Sequence, residues 1–119
     1  MPRRYKSYAA ETGVVYRYFF ESRRSSVRPA GIGPGSDYTF VLAADQGPPF
    51  VLRVFVSEKA VAGWQAAHGR VLDPSEQYAL AKMKLFCAFD ELENLREECL
   101  SLVVDESNLE ELLAALDLV

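Results

Sequence analysis

The stretch Gly13–Glu21, GVVYRYFFE, decides the first half of the fold. β-Branched and aromatic residues dominate it, and such side chains suit a pleated, half-buried surface rather than a helix. Alternation gives it two faces: Val14, Tyr16, Tyr18 and Phe20 on one, Val15, Arg17, Phe19 and Glu21 on the other. Two further segments share this character. Asp37–Ala44 places Tyr38, Phe40 and Leu42 opposite Thr39, Val41 and Ala43. Phe50–Val56 places Phe50, Leu52, Val54 and Val56 opposite Val51, Arg53 and Phe55. Asp45-Gln46-Gly47-Pro48-Pro49 makes a turn between them. Short connections favour an antiparallel meander, so the expected sheet has three strands, at 13–21, 37–44 and 50–56.

Between the first two strands lies SRRSSVRPAGIGPGS, residues 22–36. Pro, Gly and Ser dominate it, which reads as a mobile loop, long for a hairpin connection. Its run Gly31-Ile32-Gly33-Pro34-Gly35-Ser36 invites a phosphate-cradle reading. Such cradles need free N–H groups opening a helix, whereas Pro34 removes one donor and the run leads into a strand. Arg23-Arg24-Ser25-Ser26 resembles a basic kinase-substrate stretch, a match too short to outweigh ordinary loop chemistry. Residues 1–10 read as a frayed basic arm without the apolar run of a signal peptide.

The second half is helical. Ser57 caps a segment over 58–68 that Gly69 closes, with Val61, Trp64 and His68 at helical spacing. Gly63 weakens that helix unless it admits close packing. Asp73-Pro74-Ser75-Glu76 is a capping box with proline at the first helical position. No Gly or Pro interrupts the chain from there to Leu102, so a long helix over 74–102 is expected. Tyr78, Leu85, Leu92 and Cys99, with Ala81, Ala88, Leu95 and Leu102, trace a heptad seam along it, which Phe86 and Phe89 widen into a core-facing stripe. Ser101–Val104 has an alternative reading as a short strand. Ser107-Asn108-Leu109-Glu110 opens a last helix over 108–117, striped by Leu109, Leu112, Leu113 and Leu116. The fold class is therefore α+β, a three-stranded antiparallel meander followed by three helices, in one domain over residues 1–119.

Half of the 119 residues are hydrophobic and a quarter are charged, so the chain buries a core without disulfides or metal. The net charge of −4 is unevenly spread. Arg3, Arg4, Lys6, Arg17, Arg23, Arg24 and Arg28 crowd residues 1–28, while residues 85–119 carry ten acidic side chains against Arg96 alone. Such asymmetry can steer a partner or draw one end of a protomer to the opposite end of another, but a charged solvent face needs no partner, and that reading is favoured. Cys87 and Cys99, separated by roughly 18 Å if both lie on one helix, cannot form a disulfide. They read as reduced, which places the protein in the cytoplasm. No stretch reaches the length of a membrane span.

Chemistry-bearing clusters are absent from the sequence. His68 is the only histidine and has no nearby ligand set; capping explains Asp73 and Glu76; Cys87 lacks an activating base. No catalytic residue, cofactor or metal is assigned, and the expectation is a non-enzymatic, regulatory or protein-interaction domain working as a homodimer or with another protein. A meander in simple register puts Arg17, Phe19, Val41, Val51, Arg53 and Phe55 on its second face. That face is read first as core covered by the C-terminal helix or as a subunit interface. Single-stranded nucleic acid, with bases stacked on its aromatics and arginines and phosphates held by the basic N-terminal third and the Arg23, Arg24 and Arg28 loop, is an alternative, less favoured because the chain is acidic. A small-molecule pocket between sheet and helices, involving Tyr16, Trp64 and His68, is a third reading.

Overall fold

The structure, a computed structural model, describes residues 5–29, 31–45, 47–92, 95 and 101–116. The α+β class stands, but the three-stranded meander does not: the chain forms a five-stranded mixed sheet. In chain order the elements are β1 (Lys6–Ala9), β2 (Val15–Arg28), β3 (Gly33–Ala44), β4 (Phe50–Ser57), α1 (Glu58–His68), α2 (Pro74–Glu91), β5 (Ser101–Val104) and α3 (Leu109–Ala115). The strands lie side by side in the order β1-β2-β3-β4-β5. All neighbours are antiparallel except β4 and β5. A parallel pair needs a crossover, and here α1 and α2 lie within it.

The largest correction concerns residues 22–36. They are not a loop: β2 continues to Arg28 and β3 begins at Gly33, paired from Tyr16↔Ala44 to Arg28↔Gly33. The turn is confined to Pro29–Ile32, where Ile32 N–H donates to the Pro29 carbonyl at 3.4 Å and Gly31 takes φ 81°. Local composition argued against strand, and tertiary contacts override it. The Arg28 guanidinium donates to Asp37 Oδ1 at 2.9 Å and lies 4.7 Å over the Phe55 ring. Gly35 fits because it has no side chain: a Cβ there would fall onto the Phe55 ring and the Val56 carbonyl. Pro34 lies beyond the last β3–β4 pair, Gly35↔Ser57, so its missing N–H costs no bond to β4.

The frayed arm is corrected in part. Lys6–Ala9 pairs with Val15–Tyr18. A latch then fixes it, since Tyr8 Oη donates to Asp90 Oδ2 at 2.6 Å and Glu11 N–H donates to Asp90 Oδ1 at 3.0 Å. The Tyr8 ring also stacks on Phe86 at 4.6 Å.

The helix expected over 74–102 ends at Glu91, with Leu92 extended at φ −108°, ψ 124°. Its last turn holds no basic residue, and Asp90 and Glu91 oppose the helix dipole there. Asp90 is instead held by β1. The Ser101–Val104 strand reading holds, so Leu102 belongs to β5. Cys99 lies outside the described residues, and the distance argument for the two cysteines no longer applies; Cys87 is a free, half-buried thiol. The Asp73–Glu76 capping box is present in both directions, at 2.8 and 3.1 Å. At the last helix the expected Ser107 box is not formed: Asn108 is the N-cap and makes no side-chain cap bond, while the Asp105 carboxylate accepts from Ser107 N–H and Asn108 Oδ1 accepts from Asp105 N–H.

Helices α1, α2 and α3 cover one face of the sheet. Tyr16, Tyr18, Tyr38, Phe40, Leu42, Leu52, Val54 and Val56 meet Ala60, Trp64, Leu80, Leu85, Phe89 and Leu113 in a single core. The heptad positions Leu85, Ala81, Ala88 and Leu95 are buried there, so the seam serves the sheet rather than a coiled coil.

Two glycines make opposite predictions. Gly35→Ala destabilises by about 1–3 kcal/mol through overpacking, whereas Gly63→Ala, with nothing within 4 Å of the new Cβ, stabilises by up to about 1 kcal/mol; urea unfolding reads both. The latch predicts a pH signature. Hydrogen bonding to Asp90, then burial, pushes the Tyr8 pKa up from 10.0 to about 12. A raised pKa means the stabilisation is whole below pH 10 and is lost as pH rises toward 12. Tyr8→Phe removes this alkaline loss together with roughly 1 kcal/mol of stability at neutral pH, measured by urea unfolding at stepped pH.

Candidate functional site: the uncovered face of the sheet

Among the described residues, one face of the sheet carries no helix. Its rows follow from the register. Phe19 is opposite Val41, which is opposite Val51. Tyr5 joins this row, its ring 4.9 Å edge-on from Phe19. Arg17 flanks it, 5.3 Å over the Tyr5 ring. The next row is Ser22, Thr39, Arg53 and Ser101, and the one after it is Arg24, Asp37, Phe55 and Val103.

A bulge sets this arrangement. Phe20 pairs with Phe40 and Ser22 with Thr39, so Glu21 is the extra residue. Before it, the odd residues Arg17 and Phe19 face outward; after it, the even residues Ser22, Arg24, Ser26 and Arg28 do. Without the bulge the outward row of the ribbon would be Arg23, Ser25 and Val27.

The face divides in two. The Tyr5–Phe19–Val41–Val51 row is apolar, with Tyr5 41% and Val51 45% exposed. Beside it lies a polar basin of about 550 Å³, whose lining includes Glu21, Ser22, Arg24, Asp37, Thr39 and Arg53. Asp37 is already paired with Arg28. The expected residues Arg17, Phe19, Val41, Arg53 and Phe55 do share this face, but Phe55 is fully buried beneath Arg28 and against Gly35. The reading that a C-terminal helix covers the face is corrected, because α3 packs with α1 and α2 on the opposite side. Tyr5 and Ser22 were missed, and Arg24 and Arg28 were expected beside the face on a loop rather than on it in a strand, since no sequence signal marks a bulge at Glu21 or a paired ribbon beyond it.

The proposed trio Tyr16, Trp64 and His68 is not assembled. Tyr16 stacks on Phe89 at 4.3 Å deep in the core. Trp64 and His68 stack on each other at 4.5 Å and line a groove of about 200 Å³ with Leu109 and Glu110, which Tyr16 does not line. His68 Nε2 stands 3.5 Å from Glu110 Oε1. The Trp64 indole N–H is buried and has no acceptor among the described residues. On the helix side, the Lys82 ammonium lies within 6 Å of the Tyr18, Tyr78 and Phe86 rings, and burial followed by Lys6 lowers its pKa. Burial pushes the Cys87 thiol up, which makes it a weaker nucleophile.

Among the described residues, no group of three or more His, Cys, Asp or Glu is placed to hold a metal ion, and no helix is long and apolar enough to cross a membrane. No protein-family model, curated protein or solved structure matches this chain.

Arg28 joins the two halves of the site's support, bonding Asp37 and covering Phe55. Arg28→Ala is therefore expected to destabilise by about 2 kcal/mol, the sum of a charge-assisted hydrogen bond and a desolvated cation–π contact. Arg28→Lys should recover less than half, because an ammonium serves as a point charge without the planar fork. Urea midpoints of the three proteins check the order.

Proposed function

We propose that this is a protein-interaction domain whose uncovered sheet face joins a second copy of the chain in a twofold dimer. The observation that carries the reading is the Tyr5–Phe19–Val41–Val51 row, an apolar strip over β2, β3, β4 and the residue preceding β1 that no described helix covers. An antiparallel sheet with an apolar second face ordinarily packs it against another sheet. Four strands about 4.8 Å apart and eight residues of about 3.3 Å give roughly 19 by 26 Å. That is on the order of 500 Å² in plan, which side-chain relief raises toward the ~800 Å² per partner of a stable interface.

The charges suit a self-complementary contact. Arg24 and Arg53 share the basin with Glu21 and Asp37, the latter already paired with Arg28, so a second copy would meet a surface of mixed rather than single-sign charge. Single-stranded nucleic acid is the weaker alternative. Phe55 offers no ring face, Phe19 already meets Tyr5, and Arg28 is engaged by Asp37. The reading includes a cytoplasmic location and no enzymatic role; the free thiol of Cys87 supports the first.

Sedimentation equilibrium tests the dimer. The expected mass is twice 13.3 kDa for the wild type, and 13.3 kDa for Val51→Asp with an unchanged circular dichroism spectrum. A wild type that stays at 13.3 kDa to its solubility limit contradicts the proposal.

A further inference from the structure

The β2 strand has fourteen residues, but β1 covers only Val15–Tyr18. From Ser22 to Arg28 it has β3 on one side and, among the described residues, no strand on the other. The direction of its free groups follows from the ladder. Val15 accepts from Asp45 N–H at 2.8 Å, so odd residues before the bulge turn their backbone toward β3. The bulge reverses this parity together with the side chains. Arg23, Ser25 and Val27 therefore direct their N–H and C=O groups off the open edge.

Natural edges are usually blunted by short length, proline, an interrupting bulge or charged side chains, and of these only charge lies along this edge. This edge is seven residues long, contains no proline, and has its bulge at the start. Its charge is one-sided: Arg23 on the helix side, Arg24 and Arg28 on the uncovered side, with Glu21 the only acidic residue of β2. Arg28 is engaged by Asp37, while Arg23 stands 5.9 Å over the Tyr38 ring and Arg24 lines the basin. A second copy of the same edge would bring arginines against arginines. We propose that the Ser22–Arg28 edge takes an extended acidic peptide as an added strand, with backbone bonds at Arg23, Ser25 and Val27 and carboxylates at Arg23 and Arg24. Successive residues of a strand point to opposite faces. The peptide therefore needs two adjacent acidic residues, one for each arginine. The edge shares Arg24 with the basin but none of the apolar row, so the Val51→Asp variant, which removes the dimer, should still bind the peptide.

The test uses the full chain at low salt with two labelled peptides, (Thr-Glu-Glu-Val)2 and (Thr-Lys-Lys-Val)2, read by fluorescence anisotropy and by amide exchange. The expected result is binding of the acidic peptide alone, with new protection of the Arg23, Ser25 and Val27 amides. Ser25→Pro, which removes one of the bonding N–H groups, and the pair Arg23→Glu with Arg24→Glu should each weaken it at least about tenfold. The charge-reversal variant serves if the proline variant fails to fold. No binding, equal binding of the lysine peptide, or binding that leaves those three amides unprotected overturns the proposal.

Discussion

The pairing of β2 with β3 is the interaction on which the rest of this structure depends. It runs from Tyr16↔Ala44 to Arg28↔Gly33, far longer than the β1–β2 or β4–β5 ladders. It holds the Tyr16, Tyr18, Tyr38, Phe40 and Leu42 rows that the helices cover. It also carries the bulge at Glu21, which brings Arg24 and Arg28 onto the open face. Its far end stands on one small exchange of volume: Gly35 gives up a side chain, Phe55 fills the space, and Arg28 closes over the ring.

The helical layer follows from this sheet. Aromatic rings from β1 and β2 meet Phe86 and Phe89 on α2, in stacked pairs at Tyr8–Phe86 and Tyr16–Phe89. Asp90 then does two things at once. As an acidic residue in the last turn it disfavours further helix, and as an acceptor for Tyr8 and Glu11 it ties the first strand to the end of α2. The chain is thereby released to return beside β4, where β5 completes the sheet in parallel.

Much of this was legible in the residues. The alternation of Tyr16, Tyr18 and Phe20 against Arg17 and Phe19 gave both faces, and α1 starts and stops at Ser57 and Gly69, as the capping chemistry requires. The Asp73 box fixed the start of α2 in the same way. What could not be read is what depends on distant partners. Ser, Arg, Gly and Pro over 22–36 have loop propensities, and only Asp37, Phe55 and Tyr38 turn them into strands. Heptad spacing through Leu92 and Leu102 suggested one helix, because sequence periodicity carries no trace of Asp90 being claimed by Tyr8. The open face was half legible: Phe19, Val41, Val51 and Arg53 lie where alternation put them, whereas an unmarked bulge hid Arg24 and Arg28, and Tyr5 was assigned to a frayed end.

The proposed interactions rest on what the described fold leaves uncovered: an apolar row beside a mixed-charge basin on one face, and an arginine-bearing edge along the same ribbon. The basin and the edge exist only if residues 22–28 are a paired strand. Amide hydrogen exchange of the free protein, resolved by residue, tests that most directly. The account predicts slow exchange at Ser22, Arg24 and Ser26, whose amides face β3, alternating with fast exchange at Arg23, Ser25 and Val27. Uniformly fast exchange from Ser22 to Arg28 would contradict it and return the segment to a loop.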